Sequence, residues 1–425
     1  MLAILWLLSK LSVTESFTLC MEQNMKQSVP SIFLVIILVL PWGMIGHAQP
    51  THQIDTERWT TARATEWSEQ YPWIVGFNYV PKSAINQLEM WQQDTFDPTQ
   101  INQELEWASK IGFNMVRVFL HHIPWMENSE GFYQRIDQLL SIADTHNIDV
   151  MFVLFDDVWN PMPKAGIQPS PRKGVHNSGW VQSPGAEILG NLDRHDEMEP
   201  YVRGIVSRYS VDDRVAIWDL YNEPGNLNAI PYGHSEVDEK PKFSLALLKK
   251  TFAWAREESP TQPLTSGVWR LKKGSWRGAS VNDSGAALFN FMLEQSDIIT
   301  FHSYEDSENT TTAVSYLETL NRPMICTEYV ARSHGSNFDT ILPLFADKNI
   351  GAMHWGFVSG KTQTIYPWRS WVSVIRFWDG LFSDSPNPWH HDLLYSDGTA
   401  YDPSEVDLIS SLMSKKMSEQ AQNSQ

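Results

Sequence analysis

One stretch near the middle of the chain constrains the fold more than any other. Residues Ala216 to Tyr221 form a short, mostly apolar run that ends abruptly in Asn222, Glu223 and Pro224. Because proline continues neither a helix nor a central strand, and because the run is short, the pattern favours a buried parallel strand over a helix. Asn222 and Glu223 would then stand at the C-terminal end of that strand. In a parallel α/β barrel, this end of each strand faces the cleft in which the chemistry takes place.

A second apolar run also closes on a glutamate. Pro323 to Thr327 precede Glu328, which follows Glu223 by 105 residues (328 minus 223). Two glutamates that end strands about three βα units apart are what a retaining glycosidase requires. One would act as the acid/base and the other as the nucleophile.

The rest of the chain alternates between strand-like and helix-like segments. Strands are predicted at 71–79, 113–120, 148–155, 216–221, 263–268, 298–301, 323–327 and 350–355, and helices at 98–111, 131–147, 197–209, 243–258, 285–295, 312–320, 337–348 and 403–417. Eight alternating pairs predict an α/β protein with a single-domain (β/α)8 barrel over 71–417. Two long strand-end loops, 156–195 and 356–400, are expected to form the cleft walls.

The first 48 residues are predicted to lie outside this domain. Lys26 precedes an apolar run at 32–40 and a small-residue stretch ending at Ala48, which is typical of a signal peptide at 25–48. We therefore expect a secreted or periplasmic protein. Residues 1–24 are interpreted as a misplaced start, with an unusually long leader as the alternative. The segment 49–70 is expected to include a helix packed on the closed end of the barrel, and 418–425 a polar tail.

Charge and composition exclude several classes of partner. The net charge of −18 argues against nucleic acid and anionic membranes. The apolar run of the leader is too short to cross a bilayer, so we expect no membrane insertion. After cleavage only Cys326 remains, which excludes an internal disulfide. Nineteen tryptophans suit a carbohydrate site, because sugars stack on aromatic rings, although such rings also fill large cores.

The motifs together resemble the clan A glycoside hydrolases, and most closely the cellulase-like branch around glycoside hydrolase family 5. The resemblance spans about 73–411 and rests on Asn222-Glu223-Pro224 and on Glu328 within Thr-Glu-Tyr. It is supported, in order along the chain, by Asn114-Met-Val-Arg117-Val-Phe119, Phe301-His302-Ser-Tyr304 and Met353-His-Trp355-Gly356. It implies a retaining enzyme that cleaves β-glycosidic bonds of a plant, algal or microbial polysaccharide, or of its oligosaccharides, without a cofactor or metal.

The resemblance also implies roles for individual residues. Glu223 is the acid/base and Glu328 the nucleophile, with Arg117 paired to Glu328 so that the carboxylate stays charged. Asn222 contacts the 2-hydroxyl of the sugar. The remaining positions expected at the mouth are His302 and Tyr304 after strand six, Trp355 as the platform under the reacting sugar, Asn78 on strand one and Trp269 on strand five.

One departure from the family pattern affects the sugar contacts. Strand three often ends in a histidine in the family, whereas here it ends in Phe155 and Asp156. We assign Asp156 to substrate binding, together with Trp180 in the loop 176–180, and we interpret 360–364 as another wall segment. Substrate names are not carried over from the family, because the contacts on this side are rearranged.

Competing interpretations come from other protein classes. A metal hydrolase would use His121, His122, Asp156, Asp157, His390 and His391. Adjacent histidines on a strand point to opposite faces, and no helical His-Glu-x-x-His spacing occurs, so this interpretation is disfavoured. A non-catalytic carbohydrate-binding barrel is disfavoured because both glutamates are present. Exo-acting hydrolysis and transglycosylation remain open alternatives on the same scaffold, and the sequence leaves the sugar and the oligomeric state open.

Overall fold

The structure is a computed structural model that describes residues 57–269, 271, 284–380 and 385–423. The segment 1–24, the predicted signal peptide and its cleavage site lie outside the described residues, as do 49–56 and the last two residues of the predicted tail.

Eight parallel strands form the barrel, which confirms the predicted (β/α)8 fold. They are β1 Val75–Tyr79, β2 Met115–Phe119, β3 Asp149–Val153, β4 Val215–Asp219, β5 Leu264–Thr265, β6 Ile299–His302, β7 Met324–Glu328 and β8 Gly351–His354. The sheet runs in the order β5-β4-β3-β2-β1-β8-β7-β6. A parallel bridge between Val268 and Phe301 joins its two edges, so the sheet closes on itself.

The fifth strand is much shorter than the predicted 263–268. After Thr265 the chain leaves the ladder, because Ser266 makes side-chain contacts instead: its N–H donates to Ser296 Oγ (3.1 Å) and its hydroxyl donates to the Tyr221 carbonyl (2.9 Å). Pairing resumes at Val268, whose N–H donates to the Thr300 carbonyl over 3.0 Å. The seam between β5 and β6 is therefore the weakest-paired part of the barrel.

The helices surround the barrel and also occupy its loops. They are α1 Thr61–Ser68, α2 Gln87–Trp91, α3 Pro98–Ile111, α4 His122–Glu127, α5 Ser129–Thr145, α6 Ala186–Leu189, α7 Glu199–Arg208, α8 Ala229–Tyr232, α9 Lys240–Glu257, α10 Ser284–Gln295, α11 Ser307–Leu317, α12 Phe338–Asp347, α13 Ser373–Trp378 and α14 Pro403–Asn423. Short 3₁₀ helices occur at Leu192–Met198, Glu318–Leu320, Arg332–His334 and Trp368–Trp371. The helix α14 continues into the segment that was predicted as a polar tail.

One helix starts where predicted, and two others start earlier. The helix α3 has the predicted bounds, with the Asp97 side chain accepting from the Gln100 N–H. The helix α11 begins five residues earlier than predicted (307 against 312), because the Asp306 side chain accepts from the Asn309 N–H. The helix α9 begins at Lys240, whose buried ammonium donates to the Asp157 carbonyl over 3.0 Å.

Successive side chains of a strand point alternately into the core outside the barrel and into the barrel interior. On β2, Val116 and Val118 pack in the large core between the strands and the helices. Met115 and Phe119 belong to other clusters, and Arg117 between them is fully buried. Because successive side chains of a strand point to opposite faces, Met115, Arg117 and Phe119 point into the barrel. On β2 the interior side therefore carries a buried cation between two apolar side chains.

The segment before β1 packs with side chains from the early part of the strands. Trp59 and Trp67 are buried in one cluster with Met115 and with interior residues such as Ile217 and Ile325. The Trp59 N–H also donates to Asp297 Oδ1 over 2.8 Å, which fixes the entry of the chain. Within the described ranges, no helix has both the length and the apolar character that crossing a bilayer requires.

Candidate active site

Glu223 lies in a tight turn directly after β4. Its φ angle is 44°, in the left-handed region that residues other than glycine rarely adopt. Asp157 anchors this turn, because its Oδ2 accepts from the Gly225 N–H (2.6 Å) and its Oδ1 accepts from the Tyr221 hydroxyl (2.8 Å). Backbone strain of this kind persists only where the surroundings enforce it, and it is concentrated at functional sites.

The turn brings Glu223 close to Glu328, the last residue of β7. A carboxylate oxygen of Glu223 and one of Glu328 lie within 4.8 Å of each other. His302, at the end of β6, sits between them, with Nδ1 2.9 Å from Glu223 Oε1 and 3.5 Å from Glu328 Oε2. Three residues that are far apart in sequence therefore converge at one point of the barrel mouth.

Arg117 connects Glu328 to residues at the ends of two other strands, β1 and β4. Its Nη1 donates to Glu328 Oε1 (2.9 Å) and to Asn78 Oδ1 (2.7 Å). Its Nη2 donates to Asn222 Oδ1 (2.8 Å) and to Asp219 Oδ2 (2.6 Å). The planar, multidentate guanidinium is the side chain that can satisfy so many acceptors at once. The predicted pairing of Arg117 with Glu328 is thus present, within a wider network.

Burial and the neighbouring charges shift the pKa values of Arg117 and Asp219 in opposite directions. Burial lowers the pKa of Arg117, but the carboxylates of Asp219 and Glu328 outweigh it, and the net shift is upward. Burial likewise raises the pKa of Asp219 above its ordinary value, and Arg117 opposes that shift. The arginine therefore stays charged, shared between two buried carboxylates.

The carboxyl group of Glu328 has a second donor in Tyr304, whose hydroxyl donates to Oε2 over 2.7 Å. Burial raises the pKa of Tyr304 well above its ordinary range, so the phenol keeps its proton and remains a donor. Burial and the neighbouring Glu223 raise the pKa of Glu328 above its ordinary value, although His302, Arg117 and the Tyr304 hydrogen bond oppose that shift. One oxygen of Glu328 is thus held by Arg117 and the other by Tyr304.

His302 is neutral at neutral pH, because burial lowers its pKa to about 4. A neutral imidazole can either donate Nδ1–H to an ionised Glu223 or accept a proton from a protonated one. The Asn226 side chain reaches the other oxygen of Glu223, donating from Nδ2 to Oε2 over 2.6 Å. Glu223, with 13% of its side chain exposed, is therefore oriented at both oxygens while still reaching the cavity.

Asp156 contacts Asn222, and Trp180 contacts Asp156. Asp156 Oδ1 accepts from Asn222 Nδ2 (2.9 Å), and its Oδ2 accepts from the Trp180 indole N–H (2.6 Å). Both residues are about 1% exposed, and burial raises the pKa of Asp156 to about 8. Neither lines the cavity that contains the glutamates. The structure places both predicted sugar contacts where they position Asn222.

Asn78, another predicted sugar contact, also has protein partners on both polar atoms. Its Oδ1 accepts from Arg117, and its Nδ2 donates to the carbonyls of Thr327 (2.7 Å) and His354 (3.1 Å). These contacts join β1 to β7 and β8 directly beneath Glu328. Asn78 is therefore placed to hold Arg117 and the strand that carries Glu328.

A cavity of about 690 Å³ opens above the two glutamates. Its lining includes seven of the site residues predicted from the sequence: Asn222, Glu223, Trp269, His302, Tyr304, Glu328 and Trp355. The Trp269 indole N–H donates to the Pro224 carbonyl over 3.3 Å, which places this ring beside the Glu223 turn. A cavity of this size, with aromatic walls and a few convergent polar groups, is typical of a small-molecule site.

The two long loops meet each other beside the cavity. The Asn177 N–H donates to the Thr362 carbonyl (2.8 Å), and the His176 N–H donates to Ser370 Oγ (2.9 Å). Of the wall segment predicted at 176–180, His176 and Asn177 line the large cavity. Thr362 and Trp180 line a separate small one instead.

Sequence reasoning missed several residues of the site. Asp219 was detectable, because a carboxylate inside an otherwise apolar strand requires a buried partner. Asn226 carried a weaker signal, a carboxamide three residues after the acid/base candidate. Trp368 and His391 line the cavity from the loop after β8 and carried no local signal. Their position depends on how that long loop packs.

His121 and His122 do not lie on a strand, so the expectation that they point to opposite faces of one was wrong. The strand β2 ends at Phe119, and the two histidines stand at the start of α4, where their rings stack at 4.8 Å. His121 Nε2 contacts the Gln182 carbonyl (3.1 Å) and His122 Nδ1 contacts Ser183 Oγ (2.9 Å). Both rings therefore hold the loop after β3.

In the described part of the chain, one cluster of residues could offer three ligand atoms to a metal ion. It consists of Glu223, His302 and Glu328, each of which would contribute one atom. The same atoms are engaged with one another, and the Arg117 cation already contacts Glu328 over 2.9 Å. A second cation would have to compete with that guanidinium. The arrangement is better suited to acid/base and nucleophilic chemistry by two carboxyl groups.

Comparison with known proteins gives a clear result for the fold. The sequence matches no protein-family model and no curated protein at a significant level. Solved structures do match. A GH5_18 structure from Streptomyces cattleya in complex with GlcNAc aligns with a TM-score of 0.53 and 13% identity, over 81% of this chain and 80% of that one.

Two further similar structures are named as mannoside-cleaving enzymes. An exo-beta-1,4-mannosidase from Opitutaceae bacterium strain TAV5 aligns with a TM-score of 0.53 and 17% identity, over 81% of this chain and 60% of that one. An endo-1,4-beta-mannanase from Rhizomucor miehei aligns with a TM-score of 0.52 and 14% identity, over 81% of this chain and 95% of that one. The resemblance inferred from the motifs is thereby confirmed at the level of the fold: the chain has the barrel architecture of these GH5_18, mannosidase and mannanase structures.

Proposed function

We propose that this protein is a retaining glycoside hydrolase that cleaves β-glycosidic bonds by double displacement, with Glu223 as acid/base and Glu328 as nucleophile. The observation that carries the proposal is the separation of the two glutamates, whose nearest carboxylate oxygens lie within 4.8 Å. Retaining enzymes hold their carboxyl groups about 5–5.5 Å apart, whereas inverting enzymes leave about 6.5–9.5 Å for a water molecule.

The environments of the two glutamates support these separate roles. Glu328 is held at one oxygen by the Arg117 cation and at the other by the Tyr304 hydroxyl, both of which stabilise the charged form. Glu223 contacts the neutral imidazole of His302 and the neutral amide of Asn226. A nucleophile must be ionised, and the Arg117 cation favours that form of Glu328, so we assign the nucleophile to Glu328 and the acid to Glu223.

In the first step, an oxygen of Glu328 forms a bond to the anomeric carbon, and the glycosidic carbon–oxygen bond breaks. The departing oxygen takes the proton of Glu223. In the second step, the Glu223 carboxylate takes a proton from water, the water oxygen bonds to the anomeric carbon, and the bond to Glu328 breaks. If a sugar hydroxyl replaces this water, the same intermediate gives transglycosylation.

The substrate is proposed to be a β-linked oligosaccharide or polysaccharide. Trp355 and Trp269 line the cavity on opposite sides of the glutamates and offer faces for sugar stacking. Because similar structures are named as a mannosidase and a mannanase, β-1,4-linked mannosides are the first substrates to test. A barrel that only binds carbohydrate is disfavoured, because the site retains both carboxyl groups and the donors that orient them.

The experiment is a screen of β-linked glycans and aryl β-glycosides, followed by NMR of the first-formed product anomer. We expect hydrolysis with a product of β configuration. Glu328→Ala should reduce the rate by several orders of magnitude. The control Glu308→Ala, at an exposed glutamate in the first turn of α11, should leave it unchanged. An α product would indicate inversion and overturn the proposed mechanism.

We also propose that the protein is exported and cleaved after Ala48. The support is the order of a basic residue, an apolar run and small residues within 26–48. An extracellular or periplasmic location is compatible with the chemistry, because the only cysteine beyond the leader, Cys326, is buried and free. The protein would need no disulfide after export.

A further inference from the structure

Three loops are joined above β1 and β2, on the side of the barrel mouth away from Glu223. The Lys361 N–H donates to the Lys82 carbonyl over 3.0 Å, which joins the loop after β8 to the loop after β1. The Asn86 side chain donates to the Gly179 carbonyl over 2.7 Å, which joins the loop after β1 to the loop after β3. With the bond between Asn177 and Thr362, the three loops form a closed triangle of contacts.

Aromatic side chains fill the space beneath these loops. Trp180, Phe119 and Trp355 form a cluster of edge-to-face contacts, with ring centroids 5.2 Å apart for Phe119 and Trp180 and 5.6 Å apart for each of the other two pairs. The remaining cavity there, which these three rings help to line, measures about 20 Å³. Such a volume holds about one water molecule and is far too small for a sugar ring.

The other side of the glutamates is open. The 690 Å³ cavity continues past Glu223 along the loop after β4, where Leu227 and Ile230 are 48% and 63% exposed. Trp269, after β5, and Asn309, in the first turn of α11, also line this cavity. The loops after β3 and β8 also contribute His176 and Trp368 to this cavity, but its lining does not include Phe119 or Trp180. The site is therefore filled toward Phe119 and Trp180 and accessible toward the loop after β4.

The proposed roles of the glutamates give this asymmetry a direction. The acid/base protonates the glycosidic oxygen, so the leaving part of the substrate lies on the Glu223 side. The sugar that Glu328 attacks lies over Trp355, at the end of β8, which stands across the mouth from β4. A further sugar unit, attached to the non-reducing side of the sugar that Glu328 attacks, would point away from Glu223 and toward Trp180 and Phe119.

We propose that the joined loops close the glycone end of the site, so that the enzyme accepts one sugar there and releases single sugar units from the non-reducing end of its substrate. This inference rests on the proposed function and adds exo-action to it. The open end would accept leaving groups of various lengths.

The test is product analysis with the purified protein. Pentasaccharides of the β-1,4-mannan, β-1,4-glucan and β-1,4-xylan series, labelled at the reducing end with 2-aminobenzamide, are incubated and sampled early. The expected result is an unlabelled monosaccharide and a labelled tetrasaccharide as the first products. Labelled di- or trisaccharides at the earliest times would show internal cleavage and would overturn this inference alone. Hydrolysis of none of these series and of none of the screened β-linked glycans and aryl β-glycosides would overturn the proposed function, and the inference with it.

Substitutions at Trp180 test the closed end itself. Trp180→Ala should open the space and make a disaccharide detectable as an early product, whereas Trp180→Phe, which keeps a ring there, should still release monosaccharide. Trp378→Ala, at a side chain in α13 that is 79% exposed, is the control that should leave the product pattern and the rate unchanged. If Trp180→Ala does not fold, the product pattern of the unsubstituted protein still decides the question.

Discussion

Arg117 and Glu328 lie on strands β2 and β7, 211 residues apart in sequence, yet the guanidinium Nη1 donates to Glu328 Oε1 over 2.9 Å. The same nitrogen donates to Asn78, and the neighbouring one donates to Asn222 and Asp219. One buried cation thus fixes the proposed nucleophile relative to the strand end that carries the acid/base. The geometry of the two glutamates depends on this side chain.

Arg117→Lys should reduce kcat/KM by about 10²-fold, because a lysine keeps the charge but cannot reach all four acceptors, and misplacing a reacting group by about 1 Å costs this much. The measurement is steady-state kinetics on an aryl β-glycoside. Arg208→Lys, at a side chain that is 40% exposed, is the matched control. Equal activity of the two variants would mean that Arg117 does not position Glu328.

Tyr304→Phe should move the acidic limb of the pH profile of kcat/KM upward by about one unit. The Tyr304 hydrogen bond lowers the pKa of Glu328, and its loss raises that pKa. Since the nucleophile must be ionised, activity would then be lost at a higher pH as the solution is acidified. Tyr395→Phe, at a side chain that is 42% exposed, should leave the profile unchanged. A profile that is also unchanged in Tyr304→Phe would contradict the assignment of Glu328.

Acid should destabilise the fold through His176, which packs against the rings of Trp159, Trp368, His390 and His391. Burial lowers the pKa of His176 from 6.5 to about 4. Below pH 6.5 the unfolded chain binds a proton that the folded chain excludes, so stability is lost as the pH falls from about 6.5 to about 4.

The measurement for His176 is urea unfolding at pH 7 and pH 5. One such histidine contributes roughly 2 kcal/mol to the difference in unfolding free energy between these values. His176→Gln should reduce the difference, while His234→Gln, at an exposed position, should not. An equal pH dependence in the three proteins would rule out His176 as the cause.

Export should produce a mature N-terminus at or near Gln49. Mass spectrometry of protein recovered from the periplasm or the medium measures this directly. A mature chain that still begins upstream of Met25 would contradict both the predicted cleavage and the interpretation of 1–24 as a misplaced start.

The strand ends were predictable because an apolar run followed by a polar residue is a local signal. Glu223 follows such a run and Glu328 ends one, whereas Arg117 interrupts an apolar run, and the structure brings all three together. The length of β5 was not predictable, since Ser266 leaves the ladder through contacts with residues distant in sequence.

The contacts that hold Asn222 and Arg117 in place could not be predicted from local sequence patterns either. Asp156 and Asn78 were predicted to touch sugar, but their polar atoms contact Asn222 and Arg117. Which of two polar strand-end residues faces the cavity depends on the packing of loops that carry no periodic pattern. The same reason explains why His391 was missed as a cavity residue.

Azide rescue of the two glutamate variants tests the central claim most directly. With an aryl β-glycoside as substrate, azide occupies the space left in each variant, and NMR of the glycosyl azide gives its anomeric configuration. The proposed roles predict a β-glycosyl azide from Glu223→Ala, because Glu328 still forms the intermediate that azide then attacks, and an α-glycosyl azide from Glu328→Ala, by direct displacement. The opposite pattern would exchange the roles of the two residues, and unchanged hydrolysis in both variants would contradict the assignment of this site as a glycosidase centre.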